Sequence, residues 1–280
     1  MHWRRYVDLL KQSGVAWVAD NAPSMGAALA FYSAFSIAPL LMIVIAIASA
    51  AYGQDAARGA IVAQLGGLVG VSAAEAVQAL LKGAQETATG IVAAVVGAIA
   101  VLVGATTVMV ELQDDLDRIW KAGPREGSGL LMMLRARVLS LGMILAIGFL
   151  LLVSLVLTGA VAAVGKYWGA VFPGVSFLLY VANFFVSLAL VTVLIAMLYK
   201  WLPNAVVAWR DVWVGAFATA VLFSLGQIAI GLYLGQSAIA SAYGAAGALV
   251  VLLLWLYYSA QVFLLGAEFT HVYANRHAPC

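Results

Sequence analysis

Charged side chains are scarce in this sequence. Asp, Glu, Lys and Arg make up 9% of its 280 residues, whereas hydrophobic residues make up 65%. Soluble domains carry about 25% charged and about 45–50% apolar residues, and large exposed apolar patches make such domains aggregate. A soluble globular domain is therefore excluded, and lipid must surround much of the chain.

Cysteine, histidine and catalytic motifs are also rare. Cys280 is the one cysteine, so an intramolecular disulfide is impossible, and the three histidines are His2, His271 and His277. No H-E-x-x-H, G-x-S-x-G, P-loop or glycine-rich dinucleotide motif occurs. The net charge is only +2, and no basic block is interleaved with aromatic residues as in a nucleic-acid groove. We therefore predict no enzyme activity, no cofactor, no metal site and no nucleic-acid partner.

An acidic cluster, Asp114, Asp115 and Asp117, follows one of the apolar runs. Carboxylates of this kind are ligands for hard cations such as Ca²⁺. Lysine and arginine residues lie close by in the sequence, however, and a solvated segment at the membrane boundary explains the cluster equally simply. We favour the solvated segment.

Six apolar segments are long enough to cross a bilayer, which takes about 20 helical residues. The first is too long and begins too late to be a cleaved signal peptide. The sequence therefore predicts an all-α, polytopic membrane protein, a single membrane domain over residues 1–280. The predicted spans are residues 27–51, 91–112, 139–165, 174–199, 212–234 and 245–269.

The basic residues predict the orientation of these spans. Short cytoplasmic loops carry an excess of Lys and Arg. If the N-terminus is inside, all of the 14 Lys and Arg fall in inside segments except Arg58, Lys82 and Lys166. Both termini are therefore predicted to be cytoplasmic.

Two segments outside the spans have the pattern of amphipathic helices. In residues 3–19, apolar residues recur every three or four positions, which is typical of a helix lying on a membrane surface. Residues 52–90 form a long outside connection in which we expect two short helices, near 55–65 and near 73–86. The apolar positions of the first segment are Trp3, Val7, Leu10, Gly14 and Trp17.

Polar residues within the spans are the candidates for function, because an unpaired polar group is costly in hydrocarbon. Such residues can line a substrate path. They can also bond neighbouring helices, which is the commoner role. Both roles place them inside the helix bundle, so the sequence leaves the two open. The path candidates are Asn183, Ser187, Ser224, Gln227, Tyr257, Tyr258 and Gln261.

Two carboxylates lie near the predicted inner boundary, Glu111 and Glu268. There a carboxylate can reach headgroup water at modest cost. Negative charge is unfavourable at a helix C-terminus, so we expect Glu268 at the end of the sixth span to have a basic partner. Either a structural ion pair or a gate fits this placement. The candidate partners are Arg118, Lys200, Arg210 and Arg276.

Pro39 lies inside the first predicted span. Proline removes one backbone hydrogen bond, so a kink is expected there. Transporters often build sites at broken helices, but a simple kink is the commoner outcome.

Four blocks of sequence are similar to a known family. They are "GAALAFYSAFSIAPLL" (26–41), "LDRIW" (116–120), "YKWLPNAVVAWRDVWVGA" (199–216) and "YGAAGALVVLLLWLYYSAQVFLLGAEFT" (243–270). In this order they resemble the YihY/BrkB family of bacterial inner-membrane proteins, over about residues 20–273. The resemblance implies six spanning helices and a bacterial cytoplasmic membrane.

The same resemblance implies rather little chemistry. Members have been described as virulence or serum-resistance factors and linked to lipid and envelope traffic. The family has also carried a "ribonuclease BN" label, but metal-dependent cleavage needs convergent His and Asp ligands that this sequence does not offer.

We therefore expect a translocator of a lipid or other amphiphile that is not driven by ATP, with membrane lipids as its partners. The alternative is a membrane scaffold for envelope assembly, which transports nothing and binds an envelope protein. A membrane ribonuclease is the least favoured reading. The sequence determines neither the substrate nor the oligomeric state.

Overall fold

The computed structural model describes residues 2–36, 59, 78, 107–123, 175–236 and 245–277. All regular secondary structure in this part of the chain is helical, as predicted. The helices are α1 (His2–Ala19), α2 (22–36), α3 (107–119), α4 (Val175–Trp201), α5 (Trp209–Gln236) and α6 (Ala245–His277).

Three of these helices are long and apolar enough to cross a membrane. The apolar stretches are Phe184–Trp201 in α4, Trp209–Ala229 in α5 and Val250–Arg276 in α6. They coincide with the last three predicted spans and support a multi-pass membrane protein. The third predicted span, residues 139–165, lies outside the described residues, as does Pro39 in the first.

The remaining predicted segments are described only in part. Residues 27–36 of the first predicted span and 107–112 of the second are helical. Of the outside segment 52–90, Gly59 and Gln78 are described, and both are helical.

The chain divides into two compact units. One comprises Met1–Asp115 and Leu222–Leu265, and the other comprises Leu116–Val221 and Gly266–Cys280. We refer to them as unit 1 and unit 2. Both α5 and α6 contribute residues to each unit.

In unit 1, α1 is the predicted N-terminal helix. Leu9 and Ser13 are buried, and the Ser13 hydroxyl donates to the Leu9 carbonyl at 2.9 Å. Four apolar side chains of α1, Val7, Leu10, Val15 and Val18, are exposed together with the charged Asp8 and Lys11. That α1 lies on the membrane stays a prediction.

A tight turn joins α1 to α2 in unit 1. Asn21 has a φ of 60°, and its N–H donates to the Val18 carbonyl at 3.1 Å. Asparagine is one of the few residues that adopts this left-handed conformation readily. Its carbonyl then accepts from the N–H groups of Ser24 and Met25, which begins α2.

In unit 2, α3 ends in a Schellman motif. The Ala122 N–H donates to the Asp117 carbonyl at 2.9 Å and the Lys121 N–H donates to the Arg118 carbonyl at 3.1 Å. Lys121, with a φ of 49°, occupies the left-handed position that glycine usually takes.

The core of unit 2 includes one face of α4 and one face of α5. Its buried positions on each helix recur at the three- and four-residue spacing of a helix face. The buried residues are Leu188, Thr192, Ile195, Ala196 and Tyr199 on α4, and Val212, Ala216, Thr219 and Ala220 on α5.

A matched pair of sequences packs α5 against α6 in unit 2. Residues 215–219 read GAFAT and residues 266–270 read GAEFT. A Cβ atom built on Gly266 would collide with Thr219 Oγ1 and lie 2.6 Å from the Tyr199 hydroxyl. A Cβ on Gly215 would collide with Thr270 Oγ1 and lie 2.7 Å from its Cβ. Each threonine therefore occupies the space left by the glycine of the other helix.

We predict that Gly266→Ala destabilises the protein, because its methyl group would overlap Thr219 and Tyr199. The cost should be about 1–3 kcal/mol, the usual range for overpacking a core. Thermal unfolding in detergent measures it as a lower midpoint.

Gly14→Ala is the matched control, since a Cβ atom on Gly14 meets nothing within 4 Å. Alanine is favoured over glycine inside a helix by about 0.5–1 kcal/mol. The control should therefore be neutral or stabilising, and an equal loss in both variants would contradict the packing argument.

Candidate functional site

Tyr258 on α6 packs against α5 in unit 1. A Cβ atom on Gly226 would collide with its ring and hydroxyl, so only glycine leaves room for this side chain. The Tyr258 hydroxyl donates to the Leu222 carbonyl at 3.4 Å. One path candidate is thus engaged in a contact between helices.

Gln261, one turn further along α6, reaches α2. Its Nε2 atom donates to the carbonyls of Ala22 and Pro23, each at 3.3 Å. A Cβ atom on Gly26 would collide with Nε2 and lie 2.9 Å from Cδ. The Gln261 Oε1 atom is buried and has no hydrogen-bond partner among the described residues. The absence of a side chain at Gly26 therefore leaves room for the Gln261 amide of α6.

Ser224 and Gln227 occupy a different position on α5. Both side chains are half-buried, and the neighbouring Leu225 and Ile228 are exposed. All four lie within the apolar stretch Trp209–Ala229. Ser224 and Gln227 are therefore partly accessible on the surface of α5, a helix that is long enough to cross the membrane. Tyr257 on α6 is also half-buried.

The two path candidates on α4 belong to unit 2. Asn183 lies within α4, and Ser187 is half-buried one turn later. Phe184 and Phe185 between them are exposed. Whether the candidates of the two units line one path stays a prediction.

Glu268 is fully buried, with 0% of its surface exposed. The expectation that its carboxylate reaches headgroup water is therefore wrong. The placement at a helix end is also wrong, because α6 continues to His277, more than two turns beyond Glu268. The unfavourable dipole effect is confined to the last turn, so it does not act on Glu268.

The described basic candidates differ in exposure. Arg118 and Arg210 are exposed, and Arg276 is half-buried. Lys200 donates from Nζ to the Val207 carbonyl, and the same atom lies 5.5 Å from the centre of the Trp209 ring. Glu111 is half-buried. Glu268 makes at least one polar or electrostatic contact, and its pairing with a basic residue stays a prediction.

The sequence reasoning missed a short hydrogen-bond chain at Gly266, where Thr219 and Tyr199 meet α6. Thr219 Oγ1 donates to the Gly215 carbonyl at 2.7 Å, and the Tyr199 hydroxyl lies 3.2 Å from the same Oγ1. Since the threonine hydrogen is already used, Tyr199 must be the donor to Thr219. Tyr199 and Thr219 are both buried. The repeated Gly-Ala-x-x-Thr pattern was the signal in the sequence that could have revealed this contact.

A second missed contact lies at the turn between α4 and α5. Asp117 Oδ1 accepts from the Asn204 N–H at 2.6 Å, and Oδ2 accepts from Asn204 Nδ2. Asp117 therefore holds the turn between α4 and α5. Within the described residues no group of three or more His, Cys, Asp or Glu could hold a metal ion.

Comparison with known proteins covers nearly the whole chain. The family model described as Virulence factor BrkB matches residues 15–279. A UPF0761 membrane protein of Ralstonia nicotianae is 30% identical over 259 residues, which is 89% of this chain and 54% of that protein. One from Pseudomonas paraeruginosa is 28% identical over 278 residues, 95% of this chain and 62% of that protein.

A shorter match is closer in sequence. A UPF0761 membrane protein of Tolumonas auensis is 42% identical over 77 residues, 27% of this chain. The chain spans about half the length of the Ralstonia relative. No solved structure matches it.

Substitution of Gln261 tests its role as a link between helices. Gln261→Leu removes both hydrogen bonds to α2, and side-chain bonds between membrane helices contribute about 0.6–2 kcal/mol. We expect a lower unfolding midpoint in detergent. Gln227→Leu is the matched control, because the described hydrogen bonds do not involve Gln227. If Gln261→Leu unfolds at the wild-type temperature, the link does not stabilise the fold.

Proposed function

Since the chain belongs to the Virulence factor BrkB family of membrane proteins, we propose that it translocates a lipid or other amphiphile across a bacterial cytoplasmic membrane without hydrolysing ATP itself. The family assignment supports a multi-pass membrane protein. The substrate class is inferred from the polar residues of the spans.

The observation that carries the proposal is the half-buried pair Ser224 and Gln227 on α5. An amide in hydrocarbon is unfavourable unless it has a polar partner. Gln227 lies beside exposed apolar residues, so a molecule that reaches it from the membrane meets polar and apolar surface together. A lipid carries both characters, since its headgroup is polar and its acyl chains are not.

Tyr257 and Tyr258 on α6 are further polar residues of unit 1. A tyrosine ring packs against acyl chains, and its hydroxyl can accept or donate a hydrogen bond. Tyr258 already bonds the Leu222 carbonyl, whereas Tyr257 is half-buried. In the proposal Tyr257 and Gln227 contact the substrate, and Tyr258 holds α6 against α5.

Glu268 supplies the second part of the proposal, the gate. A buried carboxylate in a spanning helix is costly and often belongs to an ion or substrate pathway. Because Glu268 is fully buried, a change in what covers it would alter its energy strongly. This sensitivity is what a gate at the inner end requires.

A scaffold is the competing function, and a specific observation favours it. Tyr258 and Gln261 are used in contacts between helices, as in a bundle whose polar residues serve packing only. A scaffold would tolerate apolar substitution of Gln227, because no described helix contact depends on it. The two functions are therefore separated at Gln227.

Lipid exchange in proteoliposomes tests the translocator. Purified protein is reconstituted with fluorescent lipids of several headgroups, with and without an imposed proton gradient, and a membrane-impermeant quencher reports leaflet exchange. We expect exchange above protein-free liposomes for at least one lipid. No exchange across the panel by protein shown to be folded would refute the proposal.

Gln227→Leu is the informative variant in this assay. We expect slower exchange at an unchanged unfolding midpoint, since the side chain contributes to the path and not to described helix contacts. Glu268→Gln keeps the side-chain volume and removes the charge, and it should change the rate or its dependence on the gradient. Wild-type exchange by Gln227→Leu would favour a path elsewhere.

The proposed orientation is tested at Cys280, the one cysteine of the sequence. A membrane-impermeant maleimide should label Cys280 only after cells are lysed, because the basic residues predict a cytoplasmic C-terminus. As a control, Gln85→Cys in a Cys280→Ser background should be labelled in intact spheroplasts. Labelling of Cys280 without lysis would reverse the proposed topology.

A further inference from the structure

Three tryptophans cluster where α4 ends and α5 begins. The rings of Trp201 and Trp209 lie 6.0 Å apart in a T-shaped contact, and those of Trp209 and Trp213 lie 6.4 Å apart and nearly parallel. The three side chains are 50%, 44% and 45% exposed. Three partly exposed aromatic rings in mutual contact form an apolar patch, and such a patch can serve as an interaction surface.

The turn that carries this cluster has a defined shape. Asp117 holds Asn204 through both carboxylate oxygens, and Lys200 holds the Val207 carbonyl. Leu202 and Val207 point inward and are buried. Val206 between them is 100% exposed. The turn therefore presents an aliphatic tip beside three aromatic rings.

The position of the surface identifies its partner. Trp201 is the last residue of the apolar stretch of α4, and Trp209 is the first of that of α5. Both ends of the turn thus lie where a spanning helix leaves the hydrocarbon. Tryptophan is enriched at this depth because its ring is apolar and its N–H is polar.

The charges of the turn suggest which lipids it prefers. Lys200 is half-buried and held by the Val207 carbonyl and the Trp209 ring. Arg210 is exposed, while Asp211 is half-buried and Asp117 faces Asn204. The most exposed charge of the turn is therefore the Arg210 guanidinium, which can bind a phosphate through two hydrogen bonds.

We propose that the α4–α5 turn is a preformed anchor for the membrane interface that binds anionic phospholipid headgroups, with Arg210 as the phosphate contact and Val206 and the tryptophans as the embedded part. Lys200 and Asp117 act as positioning residues for the turn. The anchor does not depend on the proposed translocation, because it describes binding at equilibrium.

The lipid preference is tested with full-length protein in neutral mixed micelles. Phosphatidylglycerol or phosphatidylcholine is titrated in, and the rise of the unfolding midpoint gives an apparent affinity. We expect tighter binding of phosphatidylglycerol, and about a fivefold loss of that affinity in Arg210→Gln, the effect of one cation near an anionic surface. Lys121→Gln removes an exposed cation outside the turn and should leave the affinity unchanged.

Depth is tested independently by fluorescence quenching with brominated phosphatidylglycerol in nanodiscs. The sequence has eight tryptophans, and replacing Trp201, Trp209 and Trp213 by phenylalanine should reduce the quenching by bromine near the headgroup. Val206→Asp keeps all eight and should weaken this quenching, because a carboxylate resists insertion.

Equal affinity for the two lipids, or an Arg210→Gln variant that keeps the wild-type preference, would overturn the headgroup contact. Unchanged quenching in the folded phenylalanine variant would show that the cluster does not meet lipid and would favour a protein partner. If both the lipid preference and the quenching are as expected but no lipid exchange is found, the anchor is supported and the translocator is rejected.

Discussion

The reciprocal contact of two glycines and two threonines sets how α5 and α6 meet in unit 2. Thr219 fills the space at Gly266, and Thr270 fills the space at Gly215. Each threonine hydroxyl also donates to the carbonyl of the glycine four residues earlier on its own helix, so neither adds an unsatisfied donor to the contact. In a membrane the hydrophobic effect does not drive helices together, and close packing at small residues takes its place. The bond from Tyr199 to Thr219 exists because this register brings α4, α5 and α6 together at one point.

The same register determines which way Glu268 faces. Successive residues of a helix are about 100° apart, so Glu268 lies about 200° around α6 from Gly266 and faces away from α5. Its full burial means that this second face of α6 is covered as well. His271, three residues further on the same side, contacts the Trp120 ring beyond the end of α3 at 5.1 Å. Two sides of α6 are therefore enclosed near its C-terminal end, which distinguishes it from the partly exposed α5.

Sequence reasoning predicted the helices better than their contacts. Apolar runs of spanning length predicted α4, α5 and α6, because length and composition are local properties of a segment. The end of α6 was placed too early, since the apolar run stops near residue 269 whereas the helix continues to His277. A helix does not need apolar residues once its neighbours support it.

The burial of Glu268 could not be predicted for a related reason: the sequence shows which residues share a face of α6 but not what covers that face. The sequence also does not divide the path candidates into two groups. The structure does, because Tyr258 and Gln261 bond to other helices, whereas Gln227 makes no described hydrogen bond.

Glu268 connects the packing of unit 2 to its proposed role. Removing a carboxylate from water costs several kcal/mol, which its surroundings must offset through opposite charge or hydrogen bonds. Because the face toward α5 is occupied by Gly266 and Thr270, that compensation must come from the covered side of α6 facing away from α5. A movement that keeps the glycine–threonine contact intact but shifts the elements on the other side would therefore act on Glu268 first. The glycine–threonine contact keeps α5 and α6 fixed relative to each other in unit 2, and the free energy of the buried carboxylate responds to movement of the elements that cover it. A translocator needs both, because its path must open without the bundle coming apart. A scaffold needs only the first, so the buried charge is the feature of this unit that packing alone does not require.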